Sequence, residues 1–460
     1  MLRTLVDAIG ARLAGICIAV GLCGIGPASA DTLTEALASA YWTNPDINVA
    51  RAQARIADEN LPIAKSALRP NVSGEGLITG TTRDGFPGGA GNNDTTDGAV
   101  GLRVSQNLFR GFRTKNARLE ADASILASRQ SLLGTVQNVL FDAAQAYMNV
   151  LRDQALLELR RTNVRFLNEQ LKAAQDRFDV GENTRTDVAQ TRARLSGAQA
   201  NVSLAEANLK SSRAVYRQVI GKEPGKLARG FSFKRLLPGS LAGALDSGQS
   251  RHPAILAAIY NADAAAFAVK QVEGELLPTV SVEGRADHTF GIDSSNYSNS
   301  ASITGRVNIP LYQGGGVSAR VRQAKETQGL RQIEVDVRRD QVRAAVVSSW
   351  GQLDAAKASI IAASAQVEAS RIALNGVQEE QRVGQRTTLD VLDAQEELVD
   401  ARANLVVAQR DSIVASFALL SSAGLLSAEN LNLPVELHDP VAHYDAVKDK
   451  WFGLRTPDGR

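Results

Sequence analysis

Cysteine is nearly missing from this 460-residue chain, which has two, Cys17 and Cys23, both close to the N-terminus. That excludes a disulfide-stapled scaffold and a zinc-ribbon cluster. Aromatic residues make up 5% of the sequence against 44% hydrophobic residues in all, so apolar material is ample while bulky core fillers are few. No sign of charge prevails, with 51 Lys and Arg facing 49 Asp and Glu. Without a basic footprint the chain does not read as a nucleic-acid binder. Past the N-terminus no stretch approaches about 18 consecutive apolar residues, so no transmembrane helix is expected and any membrane crossing has to use strands. Proline is absent from residues 88–223 and 311–433. Stretches of that length rich in Ala, Leu, Gln, Arg and Glu favour long helices.

Residues 1–30 have the make-up of an export signal. Arg3 and Arg12 are its positive flank, residues 13–25 its apolar stretch, and Ala28-Ser29-Ala30 a small-residue cleavage site before Asp31. Both cysteines fall inside it. Ile16 and Leu22 precede them where a lipidation site needs a small residue, so no lipid anchor is expected.

The remainder repeats itself. Val104 to Phe109 and Gly111 align with Val307 to Tyr312 and Gly314, and the Val180-Gly181-x-x-Thr184-x-x-Asp187-Val188 segment aligns with Val383-Gly384-x-x-Thr387-x-x-Asp390-Val391 at the same offset. The intervening residues pass without net insertion, as expected of matched rigid rods rather than loops. The expected organisation is a first repeat at 31–228, a linker at 229–240, a second repeat at 241–428 and a C-terminal belt segment or tail at 429–460. Within each repeat the order is helix, two strands, long helix, tight turn and return helix. The long helices are placed at 114–180 and 317–383, the turns at 181–183 and 384–386, and the return helices at 184–220 and 387–423. A seven-residue repeat supports them: Val136, Ala143, Val150 and Leu157 in the first half, Val346, Leu353, Ile360, Val367 and Leu374 in the second. Sustained heptads mean helices packed side by side with a supercoil. The helices before the strands, at 45–66 and 253–275, are expected to stack end to end on the shorter return helices.

Four strands, at 70–80, 100–109, 279–287 and 302–311, each have about the nine to eleven residues of a tilted membrane strand. Polar, glycine-rich stretches at 81–99 and 288–301 separate them as solvent-exposed hairpin loops. Phe109 and Tyr312 sit where strand meets rod, as interfacial aromatics do. Four strands cannot close a barrel, and lipid does not tolerate an open edge, so closure needs several chains.

Together the leader, the duplication, the L-[FY]-x-G strand exits, the paired V-G-x-x-T-x-x-D-V turns and Asp390-Val391-Leu392-Asp393-Ala394 resemble the TolC family of outer-membrane efflux and type I secretion ducts. The likeness spans roughly residues 31–430. It implies a homotrimer in the outer membrane of a Gram-negative bacterium. Three chains would form one twelve-stranded transmembrane β-barrel continued by an α-helical barrel through the periplasm. The partners it implies are a periplasmic adaptor, an inner-membrane pump of RND or ABC type, and outer-membrane lipid. No cofactor and no enzymatic activity are expected.

On that reading the turns at Gly181 and Gly384 form the periplasmic tip. Thr184 with Asp187, and Thr387 with Asp390, have the spacing of helix N-terminal capping boxes. Asp393 lies one turn past Asp390 on the same face, where its counterpart in the first repeat is Gln190. Three-fold symmetry would stack Asp390 and Asp393 as acidic rings around a narrow opening; a solvated helix face is the plainer alternative for Asp393. By position in the family, Thr186, Asp187 and Arg386 would supply tip-closing links, with Arg386 bridging to Asp187. Gln381 departs from the family here, standing where its best-known member has tyrosine. Adaptor docking would use the grooves beside Val180-Gly181 and Val383-Gly384, whose glycines equally serve as helix stops.

Glycine runs at 88–91 and 314–316 lack the Lys-Ser/Thr of a phosphate loop. His438 and His443 are five residues apart with no thiol beside them, and they are not expected to hold a metal. A periplasmic adaptor would carry one coiled hairpin, not two with matched strand pairs. A purely structural coiled coil would leave the strands unexplained.

Overall fold

The computed structural model describes residues 31–83, 93–228, 234–292 and 295–459. The leader (1–30), residues 84–92 of the first hairpin with the glycine run at 88–91, residues 293–294 of the second, linker residues 229–233 and residue 460 lie outside them. The first repeat comprises α1 (Leu33–Thr43), α2 (Pro45–Asp58), α3 (Asn60–Ser66), β1 (Asn71–Arg83), β2 (Asn93–Arg110), α4 (Arg113–Asp179) and α5 (Arg185–Ile220). The second comprises α6 (Leu241–Arg251), α7 (Pro253–Glu273), β3 (Thr279–Gly291), β4 (Tyr297–Asn308), α8 (Gly316–Arg382) and α9 (Thr388–Ser422), and α10 (Pro440–Val447) follows.

The rods α4 and α8 have 67 residues each, so each is about 100 Å long at 1.5 Å per residue. The heptad positions Val136, Ala143, Val150 and Leu157 are buried in α4, as are Val346, Leu353 and Leu374 in α8. Burial in α8 also follows a second seven-residue series, Val335, Val342, Ser349, Ala356, Ala363 and Ser370. Its small residues let α9 approach closely: Ser349 and Ser422 meet hydroxyl to hydroxyl at 2.7 Å. Return helices α5 and α9 run back along α4 and α8 for about half their length, since 36 and 35 residues span about 55 Å.

Where α5 stops, α2 takes over along α4. Thr43 Oγ1 donates to the Ile220 carbonyl at 3.0 Å and Asn44 Nδ2 to that of Val219 at 2.9 Å. In the second repeat Gly424 abuts the His252 backbone, so α7 begins where α9 ends. The helix expected at 45–66 is broken between Asp58 and Asn60. Pro62 explains this, since it has no N–H to offer the Asp58 carbonyl. Among the described residues one helix, α9, is long and apolar enough by length and composition to cross a bilayer, contrary to expectation. It packs instead along α8, and near its end Phe417 and Leu420 are buried in one core cluster and Leu419 in a second.

The strands form one antiparallel sheet in the order β1-β2-β3-β4, and the central β2–β3 pair joins the two repeats. Pairing runs further than the expected loops allowed, out to Arg83↔Asn93 in the first hairpin and Phe290↔Tyr297 in the second. Thr, Asn and Ser at these ends have the composition of loops, yet a backbone ladder pairs them as readily as apolar residues. Conversely β4 stops at Asn308, short of the expected 311, because Pro310 cannot donate to a ladder.

The two faces of the sheet differ. Val72, Ile78, Leu102, Val104, Val280 and Val307 lie on one. Most are exposed, and Ile303 on the same face is 86% exposed. Glu75, Arg103, Glu283 and Arg285 lie on the other, where Arg103 reaches Glu75 at 3.4 Å and Glu283 at 3.3 Å. The pleat, with its period of two, separates the sets. Among the described residues the outer edges of β1 and β4 face no further strand.

Candidate functional site

At the end of the rods farthest from the sheet, both helical hairpins turn on a glycine in the left-handed region, Gly181 at φ 84° and Gly384 at φ 78°. An added Cβ would touch nothing at either position, so backbone conformation, not space, calls for glycine. Val180 and Val383 beside them are about 70% exposed. Both return helices start with a reciprocal cap. Thr184 Oγ1 accepts from the Asp187 amide at 3.2 Å while Asp187 Oδ2 accepts from the Thr184 amide at 2.9 Å. Thr387 and Asp390 repeat this at 3.2 and 2.8 Å. Hydrogen bonds from the Thr387 amide and hydroxyl, helped by the charge of Arg386, hold the Asp390 carboxyl below its usual pKa of 3.8.

The other tip residues are placed as follows. Thr186 is exposed. Arg386 does not reach Asp187 within the chain. Its Nε donates to Glu380 Oε2 at 2.9 Å, across its own turn. Gln381 donates to Thr388 Oγ1 at 3.3 Å, an amide link inside one hairpin.

Asp393 has a partner that sequence reasoning missed. Arg194 on α5 donates through Nη2 to Asp393 Oδ1 at 2.7 Å and through Nη1 to Glu396. This clamp ties the return helix of one repeat to that of the other. Beside it Gln395 donates to Asn163 at 3.2 Å and Arg160 to Asp400 at 3.3 Å, around a polar cleft of about 510 Å³. A signal for the clamp was available, since Arg194 stands one turn past Gln190, the counterpart of Asp393. Side-by-side repeats bring those heights together.

At the sheet end, Phe109 stacks edge-on against Phe112 with centroids 5.1 Å apart, and Tyr312 is exposed. Near the other end of the strands, His288 lies against Phe290 and Tyr297, at 5.9 and 6.2 Å between centroids. These two aromatics lie within a stretch expected to be loop. His443 is brought within 3.0 Å of Asp58, which is remote from it in sequence, by the fold. Among the described residues no cluster of three or more His, Cys, Asp or Glu side chains is positioned to hold a metal.

A family model described as outer membrane efflux protein matches residues 36–222 and 244–425, the two repeats in turn. The chain is 47% identical to the outer membrane efflux protein BepC of Brucella suis biovar 1, over 94% of each protein. It is 28% identical to the outer membrane protein TolC of Vibrio cholerae serotype O1, over 87% of this chain and 92% of that one. Its fold matches the Campylobacter jejuni CmeC outer membrane channel with a TM-score of 0.77 at 14% identity, covering 91% of this chain and 89% of that one. With its duplicated rods, capped tips and two-faced sheet, this chain is a member of the outer membrane efflux protein family.

Proposed function

We propose that three copies of the chain join β4 of one to β1 of the next in a single twelve-stranded barrel across the outer membrane, and that their rods continue it as a tunnel through the periplasm. The observation that carries this is the sheet, with one exposed apolar face, one charged face and two open edges. An isolated sheet of this kind is stable neither in water nor in lipid. Closed by symmetry, it turns the apolar face to lipid and the ladder of Glu75, Arg103, Glu283 and Arg285 to a wet lumen. From Val280 to Phe290 the strand rises about 33 Å, which at a tilt near 45° gives about the 25 Å apolar band of an outer-membrane barrel. The duct passively conducts drugs, toxic compounds or secreted proteins. A periplasmic adaptor, docked beside Val180-Gly181 and Val383-Gly384, and an inner-membrane pump of RND or ABC type deliver the cargo and the energy.

Fractionation tests the assembly. The protein is expected in the outer-membrane fraction as a heat-modifiable trimer, and deletion of its gene is expected to change drug sensitivity or the set of secreted proteins. Recovery as a soluble periplasmic monomer refutes it.

The tip is the gate. Asp390 and Asp393 of three chains face the entrance as acidic rings, and Thr186, Asp187 and Arg386 of adjoining hairpins supply closing links. Arg386 can exchange its exposed partner Glu380 for a carboxylate on a neighbouring hairpin at little cost, because exposed ion pairs contribute little. Arg386→Ser is therefore expected to raise single-channel conductance in planar bilayers. Conductance at the wild-type level would confine Arg386 to its own turn.

A further inference from the structure

The C-terminal segment has no part in the duct so far. It leaves mid-rod, where Leu431 and Leu433 join the core around Leu33 and Tyr147, and turns back toward the sheet. Tyr444 donates to Asp122 Oδ1 at 3.2 Å, and Arg129 lies 3.5 Å from Asp58, which also meets His443. These contacts seat α10 on α2 and α4. Beyond α10, Lys65 Nζ donates to the Lys448 carbonyl at 2.7 Å and to Asp449 at 2.6 Å. Arg69 Nη1 donates to the Lys450 carbonyl at 2.7 Å, and its guanidinium lies 4.7 Å from the centre of the Trp451 ring.

Arg69 stands two residues before β1. The turn it closes is tied to the foot of β2, where Gln106 donates to the Leu68 carbonyl at 3.2 Å and Asn107 to that of Ala67 at 3.1 Å. Trp451 is thereby held near the level of Phe109 and Phe112, where strand gives way to rod. Trp451, Phe452 and Leu454 are 65%, 91% and 103% exposed, with Lys448 and Lys450 just before them and Arg455 just after. Three large, mostly exposed apolar side chains, flanked by cations at the foot of a membrane barrel, have the chemistry of an interface anchor. Trp takes the boundary of headgroup and acyl chain, and Lys and Arg reach the phosphates. On the lumen side the same residues would sit in water beside a charged wall; on the other side they would continue the apolar face of the sheet.

We propose that residues 451–454 dock on phospholipid of the periplasmic leaflet, so that each protomer grips the outer membrane with its C-terminal segment as well as with its four strands. This rests on the barrel reading of the sheet, and the test separates the two. The full-length protein has three tryptophans, and Trp42→Phe with Trp350→Phe leaves Trp451 as the sole reporter while keeping an aromatic ring at both sites. In vesicles of phospholipid brominated on the acyl chains, Trp451 emission is expected to be strongly quenched and, in unbrominated vesicles, shielded from aqueous acrylamide. Emission insensitive to bromine overturns the anchor, whether acrylamide reaches the ring, as for a tail in water, or does not, as for a tail covered by a neighbouring copy. Ile303→Trp, made with all three native tryptophans changed to Phe, reports on the apolar sheet face. If it is quenched and Trp451 is not, the barrel stands and the anchor falls; if neither is quenched, both fall.

Discussion

Gly111→Ala will strip most of the trimer from the outer membrane, whereas Gly314→Ala, the same change at the equivalent position of the second repeat, will be tolerated. Both glycines have positive φ, 60° and 62°, so each substitution carries about 1–2 kcal/mol for placing an L-residue in the left-handed region. Only the first also meets a wall. A Cβ on Gly111 would lie 2.3 Å from the Gly274 carbonyl oxygen and 2.8 Å from Leu277 Cβ, while nothing lies within 4 Å of one on Gly314. The clash is reciprocal, since a Cβ on Gly274 would lie 2.3 Å from the Gly111 carbonyl oxygen. Two backbones cross in contact here, where the first rod begins and α7 ends. Forcing a methyl between them adds about 1–3 kcal/mol of overpacking and tilts the sheet relative to the rods. The readout is the yield of heat-modifiable trimer and its midpoint of thermal unfolding. Equal behaviour of the two variants would show that the crossing is not needed to aim the sheet.

Asp390→Ala combined with Asp393→Ala is expected to lower the cation preference of the open channel several-fold in bilayer recordings and to weaken block by divalent cations. Asp390→Asn with Asp393→Asn, which removes charge while keeping size, is expected to do the same. Arg194→Ala works in the opposite direction, since it frees Asp393 and Glu396 from their cation and should raise cation preference. The effect of pH carries a sign. The Asp390 pKa is depressed below 3.8 in the folded protein, so the ring charge it supplies persists as pH falls to that value and is lost only on passing through the lower folded value. The stabilisation that its cap contributes follows the same course, fully present above the unfolded pKa and lost on acidification through the folded one. Ion preference unchanged in both double variants would reject the acidic rings.

Much of the architecture was legible because it is written locally. The heptads, the proline-free stretches and the two V-G-x-x-T-x-x-D-V turns each fix a conformation within a few residues of themselves, and their repetition at equal spacing fixes the rest. The strand ends were misread for a physical reason. A barrel strand must be polar toward its lumen and at its outer end, so Thr95, Asn299 and Ser300 have the composition of a loop while bonded in a ladder. The α8 seam of Ser349, Ala356, Ala363 and Ser370 was invisible to a search for large apolar residues, since close helix approach uses small ones. Arg194 and the Asp58–His443 contact join residues far apart in the chain, and only the assembled fold says which meet. The tip motifs gave the caps themselves, Thr184 with Asp187 and Thr387 with Asp390. They did not reveal that Arg386 would turn to Glu380, because an arginine so exposed has several carboxylates within reach.

The two rods have the same number of residues, and that equality makes the protein a ruler. Seven residues added to one rod alone would leave its tip about 10 Å lower than the other, and a stepped rim cannot meet a partner squarely. Descendants that bridge a deeper or shallower gap between the two membranes are thus confined to paired changes, made in whole heptads in both halves at once.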